Sequence, residues 1–145
     1  MRGWRQRSVL MAAALWWGSL TAVLAWVVPL LFVHLPSPTL AGNTAAHFFT
    51  AQTWVALGCG AWVLMGLRAQ ADQTETGHVQ VVESGFAAGG MLLALLLEFA
   101  VTPHIVARDN LRLWHSLGTL LYGLQWVAAA ALLWRQAGAD APDAI

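Results

Sequence analysis

Val81–Val101 reads VVESGFAAGGMLLALLLEFAV. A helix needs roughly 20 apolar residues in a row to cross the hydrocarbon core of a bilayer. This stretch is that long, and its only charges are Glu83 and Glu98, one towards each end. Three further stretches have the same character: Val9–Val33 and Ala45–Leu67 before it, and Leu113–Trp134 after it. Short connections join the four. The reading is all-α and integral to the membrane: an antiparallel four-helix transmembrane bundle forming a single membrane domain over residues 1–145. Spans are expected at about 9–33, 45–67, 81–101 and 113–134, followed by a disordered tail over 136–145.

Composition points the same way. The chain is 59% hydrophobic and 10% charged, whereas a soluble domain carries about 25% charged residues. So little charge cannot cover a surface that faces water, but it suits a solvent that is itself apolar. Lysine is absent and the net charge is zero, so no basic stripe is available for nucleic acid. The lipid bilayer is the expected partner, together with other membrane protein subunits or a second copy of the chain. The single cysteine, Cys59, lies inside the second stretch and excludes an internal disulfide.

The arginines set an orientation. Arg2, Arg5, Arg7, Arg68 and Arg135 fall on one side of such a bundle, and Arg108 and Arg112 on the other. Short loops rich in Lys and Arg stay cytoplasmic, so both termini are expected in the cytoplasm of a multi-pass bacterial inner-membrane protein. Arg108 and Arg112 run against that trend. The basic start resembles a signal peptide, but its apolar run continues through Trp26 to Val33, far beyond the roughly 7–15 residues of a signal h-region. The first stretch is therefore read as an uncleaved span.

Within the spans, Gly18, Ala22, Ala25 and Pro29 share one helical face and invite close approach by a neighbour. Pro29 removes a backbone donor and should kink its helix. The segment His34–Thr44 reads as a loop because Pro36, Pro38, Gly42 and Asn43 are turn formers, with Thr44 or Asn43 capping the second span. Gly58 and Gly60 suggest close packing in span two, and Gly85-x-x-x-Gly89 is a helix-pairing pattern in span three. Pro103 is expected to end span three. The polar segment Arg68–Gln80, which includes His78, is expected to be flexible. His115, Gly118, Thr119, Tyr122 and Trp126 line one face of span four. Tyr122 and Gln125 suit interhelical hydrogen bonds.

The sharpest chemical feature is a gathering of imidazoles. His34 closes span one, His47 opens span two, His104 follows span three and His115 opens span four, all at the expected periplasmic end. Glu98 lies about one turn inside the same end. An ionisable group within a span is costly and marks a functional hypothesis. Imidazole and carboxylate suit a transition metal, and histidines on facing helices can hold a haem. Interfacial histidines also need no ligand at all, since the ring tip reaches water, and Glu98 could simply pair with Arg112 or His115. No local metal motif of the HExxH or CxxC kind is present. Glu83 reads either as part of a proton path or as a first-turn carboxylate favoured by the helix dipole.

Several pieces carry a resemblance. They are Val28-Pro29-Leu30-Leu31-Phe32, Leu40-Ala41-Gly42 leading to Ala46-His47-Phe48-Phe49, Thr102-Pro103-His104-Ile105, Leu113-Trp114-His115-Ser116 and Leu120-Leu121-Tyr122. From about Leu10 to Trp134 the chain resembles the four-helix membrane domain of unknown function shared by bacterial proteins and eukaryotic transmembrane protein 205. That family often has a basic residue where His47 stands, while His115 follows its pattern. Copper-resistance-type membrane domains look similar in their outer-end histidines at the level of fold alone. The resemblance implies a topology and no reaction.

Three functions are compatible with these residues. The first is a small polytopic membrane protein without catalysis, acting as an accessory or packing subunit of a complex. The second is a metal- or haem-binding membrane protein that uses His115 and Glu98 with His47, His104 or His34. The third is a small proton-coupled transporter using Glu83 and Glu98.

Overall fold

A computed structural model describes residues 2–71 and 77–138. The chain runs through α1 (Arg2–Ala22), a π-helical turn at Val23–Val27, α2 (Val28–His34), α3 (Pro38–Ala71), α4 (Gly77–Leu96), a second π turn at Leu97–Val101, α5 (Thr102–Val106) and α6 (Leu111–Gly138). No strand occurs among the described residues. The π turns interrupt their helices without ending them. Four helices are thus long and apolar enough to cross a membrane: Gly3–His34, Pro38–Ala71, Val79–Val106 and Leu111–Gly138.

The four pack around a square, with α1 against α3, α3 against α4, α4 against α6 and α6 against α1. Arg2 and Gly138 lie at one end, called proximal below. The turns at 35–37 and 107–110 lie at the other, distal end. The outer faces are apolar: Trp26, Trp54 and Phe99 are 68%, 65% and 68% exposed. Such a surface would drive aggregation in water and is ordinary where lipid is the solvent.

The core is organised around Trp16, which is completely buried. Its indole fits because Gly90 and Gly60 present no side chain there. A Cβ on Gly90 would lie 2.7 Å from the Trp16 ring, and one on Gly60 would meet Met91 and that same ring. Polar side chains are spent on joining helices, as the apolar surroundings demand. The Tyr122 hydroxyl donates to the Leu20 carbonyl (2.9 Å), Trp126 Nε1 donates to Thr21 Oγ1 (2.9 Å), and Gln52 Nε2 donates to Ser19 Oγ (2.9 Å). These bonds tie α1 to α6 and to α3 at mid-height. Near the proximal end, buried Glu83 lies 3.7 Å from Arg135 Nε, an ion pair between α4 and α6.

Several expectations about boundaries and faces are corrected. The second helix begins at Pro38, not near Ala45. Ser37 caps it, its hydroxyl accepting from the Leu40 amide at 3.2 Å, and Pro38 takes the first helical position, where a missing N–H costs nothing. Gly42 and Asn43 are therefore helical. Pro103 does not end its helix, because the π turn before it absorbs the proline and α5 continues to Val106. The last helix extends past 135 to Gly138 with Gln136 buried, so the tail does not start at 136; residues 139–145 lie outside the described residues. The expected flexible segment 68–80 is helical up to Ala71 and from Gly77, and its centre, 72–76, also lies outside them. The Gly85/Gly89 face points away from the bundle, with nothing within 4 Å of a Cβ at either position. The small-residue face of the first helix likewise looks outward: Gly18 meets open space, and Ala25 and Pro29 are exposed.

Candidate functional site

Both π turns stand in the same relation to a proline. Proline offers no N–H, and its ring collides with the carbonyl four residues earlier. For Pro29 that carbonyl belongs to Ala25, and for Pro103 to Phe99, each the middle residue of its π turn. Widening the helix there moves the carbonyl aside. The amides of Val28 and Thr102 then bond back to Val23 and Leu97, five residues earlier, and the Thr102 hydroxyl adds a second bond to Leu97 O at 2.9 Å. Insertions of this kind recur at functional sites because they reset the phase of a helix.

The first of them coincides with a change of packing, while the second π turn and α5 stay against α6. Below the breaks α1 packs on α6; above them α2 packs on α3 and its backbone stands away from α6. The space left is a cavity of about 860 Å³ between α2, α3, the second π turn, α5 and α6. Its walls are mainly apolar, with Val28, Phe49, Val101 and Ile105 among them. Gln52, Thr53, Tyr122 and Gln125 line its deep part. At 1.5 Å per residue Gln52 lies roughly 20 Å below the start of α3, near the middle of a bilayer. Leu24 and Phe32 line the cavity and are each 50% exposed, so it opens sideways between α2 and α6. Its distal mouth carries Arg108, Arg112, Thr39 and His115.

Three polar groups in or at this space stand out. Glu98, on the second π turn, accepts from the Thr50 hydroxyl through Oε1 (2.8 Å), while its Oε2 is buried with no hydrogen-bond partner. The partner is therefore Thr50 rather than Arg112 or His115. Gln125 is 2% exposed, and its Nε2 meets no acceptor. Arg108 adopts a positive φ of 58° in the tight turn before α6 and donates to Thr39 Oγ1 at 2.7 Å, tying that turn to the start of α3.

The four histidines lie at the distal end, as their sequence positions imply, but they do not converge. His104 stacks flat on Trp114, with ring centroids 4.0 Å apart, and its Nδ1 lies 3.4 Å from Asp109 Oδ2. His34 and His47 are exposed and do not line the cavity; His115 does, as does Glu98. Among the described residues no three His, Cys, Asp or Glu side chains form a group able to hold a metal ion. Of the expected set, His115 and Glu98 are the pair that could offer ligands inside the cavity. Reading the sequence for ligands passed over the distal arginines as site residues. Their signal was present, since both oppose the distribution of the other five.

Comparison with known families adds one assignment. A family model described as a domain of unknown function (DUF4149) matches residues 11–113, from the first helix into the start of α6, and the chain belongs to that family. No curated protein and no solved structure matches the chain.

Proposed function

We propose that this DUF4149 protein binds a small amphiphilic molecule of the membrane in its distal cavity and catalyses no reaction. The observation that carries the reading is the cavity itself: about 860 Å³, within the range of small-molecule sites, which are concave, largely apolar and marked by a few placed polar groups. Apolar walls, an opening towards the lipid and a polar mouth match a molecule with an apolar body and a polar end. The orientation inferred from the arginines sets the cavity at the periplasmic face of an inner membrane, with both termini cytoplasmic. The resemblance of the chain to the transmembrane protein 205 domain, if it holds, would carry the same four-span topology.

The test is retention. The full chain is purified in mild detergent, extracted with organic solvent, and the extract analysed by mass spectrometry. The expected result is a defined amphiphile at a fixed ratio to protein. Gly123→Leu should sharply reduce it, because Gly123 lines the cavity and a Cβ there meets nothing within 4 Å, so the new side chain can extend into ligand space. Equal retention by wild type and variant would refute the proposal.

A second reading, an accessory subunit that packs against another membrane protein or its own copy, has its own observation. Gly85 and Gly89 leave a smooth patch on the outside of α4, with open space where each Cβ would be. Small residues spaced in this way let helices approach closely in lipid. Cross-linking in native membranes through cysteines placed beside Gly85 tests it, and a purely monomeric pattern would refute it.

A further inference from the structure

We infer that the occupant of the distal cavity is a phosphate-bearing lipid, held with its headgroup at the mouth and its chain leaving between α2 and α6. The inference rests on the binding role proposed above and adds the chemistry of the ligand. Positive charge converges on the mouth from independent sources. Arg108 and Arg112 both line it. So do Thr39, in the first turn of α3, and Leu111, which opens α6. Both are long helices, whose N-terminal ends carry partial positive charge that favours a phosphate. The Thr39 hydroxyl holds the Arg108 guanidinium at 2.7 Å, fixing it at the rim. Asp109 in the same turn faces His104, 3.4 Å away, and is not among the cavity-lining residues. Glu98 is the acidic side chain that lines the cavity. It lies roughly 12 Å below the end of α5 at the helical rise per residue, beneath the level of a headgroup.

The side opening decides the rest of the ligand. A free anion would need the mouth and nothing below it. The mouth instead continues into an apolar space whose flank, at Leu24 and Phe32, is open to the lipid. A lipid can enter there from the bilayer without crossing water and can leave its chain in the gap where the α2 backbone stands away from α6. The polar floor at Gln52 and Gln125 is then bypassed by the chain. This placement also accounts for the two arginines that oppose the charge distribution of the other loops: they face a headgroup.

Native mass spectrometry of the full chain in mild detergent, titrated with phosphatidylglycerol or with diacylglycerol of the same chains, tests this. Phosphatidylglycerol should bind about tenfold or more tightly, equivalent to about 1.4 kcal/mol. The Arg108→Gln/Arg112→Gln double variant should bring the two lipids to parity by weakening phosphatidylglycerol. Gly123→Leu should weaken both. If the double variant keeps the preference, the phosphate assignment is overturned while the cavity reading stands. If Gly123→Leu binds phosphatidylglycerol as tightly as wild type while diacylglycerol binding falls, the phospholipid sits on the surface and the assignment is likewise overturned. If Gly123→Leu binds both lipids as wild type does, the cavity reading itself fails.

Discussion

Gly90 and Gly89 are neighbours in sequence with opposite duties. A Cβ on Gly90 would come within 2.7–2.8 Å of the Trp16 indole, which is fully buried and has no room to retreat; at Gly89 it would meet nothing. Gly90→Ala should therefore destabilise the protein by about 1–3 kcal/mol, the cost of overpacking a close-fitted core. Gly85→Ala and Gly89→Ala should stay within about 0.5 kcal/mol in the monomer. Thermal unfolding in a fixed detergent measures all three, and a Gly90→Ala midpoint equal to wild type would contradict the packing described. The Gly85-x-x-x-Gly89 spacing was visible in the sequence, but spacing does not say which way a helix face turns. The same limit applies to the histidines. Their shared end followed from span boundaries alone, whereas stacking of His104 on Trp114 and the separation of His34 and His47 from the cavity depend on helix rotation.

At the level of elements, hydropathy located all four helices and blurred their ends. Ser37-Pro38 is a sound helix start, yet Gly42 and Asn43 masked it by reading as turn formers. Pro103 read as a stop because a π turn, which lets a helix pass a proline, has no composition of its own. If the proline–π units shape the distal cavity, removing their cause should close it. In Pro29→Ala/Pro103→Ala each restored amide could bond to the carbonyl four residues earlier, Ala25 or Phe99, and both π turns could relax to α-helix. The double variant should keep its helical circular dichroism, unfold at a higher temperature and retain less amphiphile than wild type. Undiminished retention together with raised stability would show that the prolines do not shape the cavity. The cavity itself was illegible in the sequence. It exists where the α2 backbone stands away from α6, a separation between segments roughly 80–90 residues apart in sequence, and no local pattern encodes it.

For the whole molecule, sidedness comes from charge, since the apolar outer faces suit lipid in either insertion. The arginine count favours proximal ends in the cytoplasm, and the proposed role of Arg108 and Arg112 removes the only evidence against it. Those two would then be retained for a headgroup rather than for topology, leaving five arginines that agree. The protein is well suited to a direct measurement, because its one cysteine, Cys59, is buried at 8% exposure within α3 and should give little background. Ala107, exposed at the distal turn, and Gly3, where an added Cβ meets nothing within 4 Å at the proximal end, can each carry an introduced thiol at little structural cost. A membrane-impermeant maleimide applied to cells whose outer membrane has been made permeable should label Ala107→Cys. Gly3→Cys should react only after the inner membrane is also breached. The reverse pattern would turn the cavity towards the cytoplasm, and a headgroup at Arg108 and Arg112 would then have to be drawn from the inner leaflet. Labelling of both before breaching would mean that the four helices do not all span, in which case the lipid-facing surface formed by Trp26, Trp54 and Phe99 would need another solvent.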